Sequence, residues 1–105
     1  MDSNKQKMIN QCLNNIDFVR IQNIMKYLKW EWAMDGGGCN IPTLNQLISC
    51  AKQMLNDVYD LCKSKKELSH ISSGGFSVCA FYDKELCDVK SLRIAFEIET
   101  FLTDL

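Results

Sequence analysis

Between Lys5 and Asn14 the apolar residues Met8, Ile9, Cys12 and Leu13 recur four apart, a narrow stripe that predicts a short amphipathic helix. After Asn14 and Asn15 the chain restarts, with Asp17 as the expected N-cap and Ile16 placed to clip against Ile21 inside the next helix. Phe18, Ile21, Met25 and Leu28 share one face, so that helix is expected from about residue 18 to 28. Trp30-Glu31-Trp32 alternates large apolar, charged and large apolar, which reads as a short strand with both indoles on one side. Asp35-Gly36-Gly37-Gly38 follows and is expected to be a loop, because successive glycines lose the most backbone entropy on ordering.

The longest coherent pattern lies in the middle. Leu44, Leu47, Ile48, Ala51, Leu55, Val58 and Cys62 keep spacings of three or four. Thr43 and Gln46 have the spacing of a capping box just after Pro42, and Lys63, Lys65 and Lys66 complement the negative end of the dipole. Ser72-Ser73-Gly74-Gly75 breaks the chain, and the period then drops to two. Phe76, Val78, Ala80 and Tyr82 line one face, and Leu92, Ile94, Phe96 and Ile98 repeat the pattern after the polar interval Asp83 to Lys90. Arg93, Glu97 and Glu99 fall on the opposite, wet face.

The order helix, helix, strand, helix, strand, strand predicts an α+β fold. One domain, residues 1–105, is expected, with the N-terminal helices and the central helix covering one face of a small, mainly antiparallel three-stranded sheet. The sheet would consist of the tryptophan strand and the two C-terminal strands. No internal repeat or low-complexity segment divides the chain.

Composition narrows the function. Of 105 residues, 12 are Lys or Arg and 13 Asp or Glu, a net charge of -1 that gives no global attraction to nucleic acid or acidic lipid. No apolar run approaches the roughly 20 residues that cross a bilayer, and no continuous hydrophobic signal core follows Met1, so a soluble cytoplasmic protein is expected. Six cysteines without a secretory signal read as reduced thiols. None forms a Cys-x-x-Cys pair, so no metal and no cofactor is expected.

Asp17-Phe18 leading to Ile21, Met25 and Leu28, then Trp30-x-Trp32, Ile41-Pro42-Thr43, the central helix, Ser72-Ser73-Gly74-Gly75-Phe76 and the closing strand Leu92 to Glu97 follow one another from Asp17 to Glu97. This series resembles a group of small proteins encoded by bacteriophages and prophages. The resemblance implies an accessory gene product in a bacterial host cytoplasm, of the kind that acts by binding a host protein, sometimes one of a defence system.

Each candidate for chemistry has an ordinary counterpart. Cys12, Cys50, Cys62 and Cys79 fall in regular elements and read as small apolar side chains, whereas Cys39 beside the glycines is the thiol expected to be exposed. His70 is the only histidine and follows the central helix, where it reads as a cap or a solvated side chain rather than half of a Cys-His pair. Trp30 and Trp32 could stack bases if exposed, but a small domain needs large apolar side chains in its core. Residues 76–105 hold six carboxylates against three basic groups, a local balance of -3.

The leading expectation is a non-enzymatic binding protein, possessing no catalytic residues, that covers a surface of a host or phage protein. Asp83, Glu85, Asp88, Glu97 and Glu99 are its expected partner-binding residues. The alternative is an anionic ligand or nucleotide held by Gly36, Gly37, Gly38 and Thr43 at the start of the central helix. A homo-oligomer is compatible with either.

Overall fold

The structure, a computed structural model, describes residues 3–28, 32–33 and 39–97. Its first helix, α1, spans Ser3–Asn14, and α2 spans Phe18–Tyr27. Asp17 caps α2, its Oδ1 accepting from the Arg20 amide at 3.0 Å. A short antiparallel pair follows, β1 (Trp32–Ala33) against β2 (Cys39–Asn40). The central helix, α3, runs over Leu44–Lys65 behind a complete capping box: Thr43 Oγ1 accepts from the Gln46 amide at 3.1 Å, and Gln46 Oε1 accepts from the Thr43 amide at 2.8 Å. Three strands close the chain, β3 (Ser69–Ser73), β4 (Phe76–Asp83) and β5 (Asp88–Phe96).

These form one antiparallel sheet in the order β3-β4-β5. The fold class is α+β, with a three-stranded antiparallel sheet as the sequence led us to expect, but its third strand is a different one. Ser69–Ser73 occupies the place assigned to Trp30-Glu31-Trp32, and the described part of that segment pairs with β2 in a separate two-stranded ladder. The reason is the turn at Gly74-Gly75, whose φ angles of 59° and 88° match the two-residue hairpin that folds β3 back on β4. His70 is thus a strand residue and not a helix cap. Trp30 and the glycines at 36–38 lie outside the described residues, as does the side chain of Trp32.

The β4–β5 connection is also tighter than expected. It comprises residues 84–87, because β5 begins at Asp88 and not at Leu92. Register explains this: Phe81 pairs with Ser91 but Tyr82 pairs with Val89, so Lys90 is an extra residue in a bulge. The bulge reverses the alternation and lets Val89 join the same buried side as Leu92, Ile94 and Phe96.

That side meets α3, which packs across all three strands, chiefly β4. Leu47, Ala51, Met54, Leu55, Val58, Tyr59 and Cys62 of α3 are buried with Phe76, Val78 and Ala80 of β4. Val89 and Phe96 of β5, Ile9 from α1, and Ile21 and Met25 from α2 complete the core. Phe76 lies 5.3 Å from Phe96 and 6.4 Å from Phe18 between ring centroids, the tilted and edge-on arrangements aromatic pairs prefer. No helix among the described residues is long and apolar enough to cross a membrane.

Candidate binding surface

Because the helices cover one side of the sheet, alternation sends the other half of the strand residues to the opposite side. Register defines the rows there. Cys79 is the partner of both His70 and Arg93, and Ser77 of both Ser72 and Ala95, while Phe81 lies opposite Ser91. Leu68, directly before β3, extends the Phe81 row and is 58% exposed.

Two groupings stand out on this outer side. The Arg93 guanidinium carbon lies 5.2 Å from the centroid of the Phe81 ring, a cation–π distance. At the other end His70 Nε2 lies 2.6 Å from Ser77 Oγ and 3.3 Å from Ser72 Oγ, and Ser72 Oγ donates to Glu97 Oε1 at 3.4 Å. Serine, histidine and carboxylate therefore meet, but not in catalytic order. Both hydroxyls converge on one imidazole nitrogen, and the carboxylate reaches a serine rather than the ring.

The expected acidic residues do not form one patch. Asp83 and Asp88 pair at the turn end of the β4–β5 hairpin, while Glu97 begins where its amide donates to Gly75 O at 2.8 Å. An eight-residue strand, about 24 Å long, separates the two ends. Asp83 is occupied locally, its Oδ1 accepting from the amides of Glu85 at 2.8 Å and Leu86 at 3.2 Å. Glu85 is exposed, and Glu99 lies outside the described residues.

Asp88 is a structural residue. Its Oδ1 accepts from the hydroxyl of the fully buried Tyr59 at 3.0 Å and from the Val89 amide at 2.7 Å, and Lys63 Nζ is 3.6 Å away. Asn4 Nδ2 lies 3.3 Å from its Oδ2, 3.2 Å from Tyr59 Oη and 3.3 Å from Val89 O. One carboxylate thereby ties α1, α3 and the hairpin together.

Thr43, the described member of the expected anion site, spends its hydroxyl and its amide inside the capping box. Gly36, Gly37, Gly38 and Cys39's side chain are not among the described groups. Burial pushes the thiols of Cys12, Cys50 and Cys62 up from their ordinary range, which keeps them protonated and poor nucleophiles. Cys87, in the hairpin turn, is an exposed free thiol. Tyr82 is also pushed up, first by burial and then by Cys87 and Asp88, against the opposing charge of Lys63.

Sequence reasoning placed Arg93 and Glu97 on a wet face but missed Phe81, Ser72, Ser77 and His70 beside them. The signal that could have found them is Gly74-Gly75 read as a hairpin turn, which sets His70 and Ser72 opposite Cys79 and Ser77. No family model, curated protein or solved structure matches the chain.

Proposed function

We propose that the protein is a non-enzymatic binding module that acts by covering a surface of another protein with the outer side of its sheet. The observation that carries the reading is the Arg93–Phe81 pair, set beside exposed Leu68 on a three-stranded platform that the described helices leave uncovered. Arginine and aromatic residues are the side chains that dominate binding energy at protein interfaces. The Asp88 network behind the platform holds it to the helices, so little ordering is left to be done on association. A host or phage protein as the partner, in a bacterial cytoplasm, follows from the phage-type series Asp17-Phe18 to Glu97. Glu97 stays a candidate contact; Asp88 does not, since its oxygens are engaged within the fold.

The test is capture from phage-infected or lysogenic bacteria with wild-type protein and with Phe81→Ala/Arg93→Glu. Support requires one protein held at reproducible stoichiometry by the wild type and lost by the variant, with an unchanged melting temperature. A variant that retains the same protein, or a wild type that holds none, overturns the reading.

A further inference from the structure

The two edges of the sheet are treated differently. On β5 the open edge is blunted: it carries a bulge at Lys90, and α1 reaches over it. Cys12 Sγ donates to Leu92 O at 3.5 Å, and Asn4 Nδ2 lies 3.3 Å from Val89 O. On β3 none of these devices is present among the described residues. Its five residues, Ser-His-Ile-Ser-Ser, pair with β4 in unbroken register and contain neither proline nor lysine. Among the described residues no backbone hydrogen bond reaches the outer edge of β3.

We infer that β3 pairs antiparallel with the β3 of a second copy of this chain, across a two-fold axis at Ile71, to make a continuous six-stranded sheet. The edge is complementary to itself in this register. Ile71 faces its own copy on the helix side, and Ser69 faces Ser73. On the outer side His70 faces Ser72 of the second copy, and Ser72 already holds Glu97 at 3.4 Å. Each imidazole thus approaches a carboxylate-bearing serine, and two-fold symmetry makes the bridge twice. Polar and opposite-charge pairs directly across neighbouring strands are stabilising in this way.

Space and apolar surface agree. The helix α3 lies chiefly over β4, and the two β4 strands would stand three strand spacings apart, about 14 Å, wider than the 8–10 Å of touching helices. The α3 helices therefore do not collide. Leu61 lies about 200° around α3 from Tyr59, whose hydroxyl points to β5, so it sits on the β3 flank. It is half-buried and outside the core cluster, and exposed Leu68 lies just before the edge strand. A five-residue pairing belongs to the class of small interfaces below about 1,200 Å², so the association is weak and concentration-dependent.

The experiment is sedimentation analysis of the full chain from about 1 μM to about 1 mM. The expected result is a rise from 12.1 kDa toward twice that mass. Ile71→Lys puts a charge on the edge and is expected to hold the protein at monomer mass. His70→Glu faces Glu97 of the second copy with a like charge and is expected to weaken association about tenfold or more. Adding Glu97→Lys to His70→Glu is expected to restore it, with the melting temperatures of both variants unchanged in dilute monomer. Because Ser72 also links His70 to Glu97 within one chain, a loss of dimer that merely tracks a lowered monomer melting temperature counts against the inference. A mass of 12.1 kDa at every concentration overturns the inference. So does a dimer indifferent to Ile71→Lys and to the charge exchange. Neither result depends on any other protein, so the outcome is separate from that of partner capture.

Discussion

Asp88 shows how a charge that looks available in sequence becomes part of the frame. Its Oδ1 accepts from Tyr59 Oη and the Val89 amide, and Tyr59 is completely buried, so removing the acceptor strands a hydroxyl in the interior. Asp88→Ala is expected to destabilise the fold by about 2–3 kcal/mol and Tyr59→Phe by about 1 kcal/mol, read as shifts in the urea midpoint. A double variant should lose less than the sum, since both changes remove the same bond. The half-buried thiols of Cys12 and Cys50 and the buried thiol of Cys62 have a consequence of their own. Cys12, Cys50 and Cys62 are pushed above their ordinary value of 9.0 by burial, and the unfolded chain ionises them first. Above that value the unfolded state binds fewer protons than the folded one, so their contribution is intact below it and is lost as pH rises. The melting temperature is expected to hold from about pH 7 to pH 8.5 and fall toward pH 10, with a shallower fall in Cys50→Ala.

At the scale of elements, the β3–β4 turn is the most sensitive joint. Gly75 has φ of +88°, and a Cβ there would stand 2.8 Å from Phe96 Cε2. Gly75→Ala therefore meets both a disfavoured backbone region and a buried ring, and is expected to cost about 1–3 kcal/mol in thermal unfolding. Gly74→Asn, at φ of 59°, is expected to be nearly neutral because asparagine accepts that conformation before glycine in hairpins. This turn also marks where sequence reading stopped. The central helix was legible because its apolar repeat, its Thr43/Gln46 box and its terminal lysines all agree, and β4 because Phe76, Val78 and Ala80 alternate cleanly. β3 was not, since Ile71 is its one apolar residue and an edge strand with little to bury has almost no hydrophobic period. The start of β5 was hidden by the bulge at Lys90, which breaks the period where Val89 turns inward. The candidate surface depended on both: without β3, His70 and Ser72 have no neighbours, and without the register Phe81 has no Arg93.

Across the whole molecule, these elements imply a gradient of protection that hydrogen exchange can read. β4 is bonded on both sides and roofed by α3, so its amides and those of the buried face of α3 should open only with global unfolding. β5 is an edge, but α1 lies against it, its Ile9 sits in the core, and Lys5 Nζ reaches Asp60 Oδ1 on α3 at 2.8 Å. Its β4-facing amides should therefore exchange at rates near those of β4. β3 has one bonded side only, and in an antiparallel edge the amides alternate between the neighbour and solvent. The solvent-facing amides of Ser69–Ser73 are thus expected to exchange at near-unprotected rates in dilute protein, while those facing β4 are slow. Ile9→Ala, which hollows the core beneath α1, should lower the global limit by about 2–5 kcal/mol and accelerate β4, leaving the fast β3 amides unchanged because they were never protected by that core. Raising the protein concentration acts on the opposite set: the fast β3 amides gain partners across the two-fold axis and slow down, and β4 does not change beyond the shift in global stability that association brings. Slowing of β4 at high concentration with the fast β3 amides unchanged would instead place the contact away from the β3 edge.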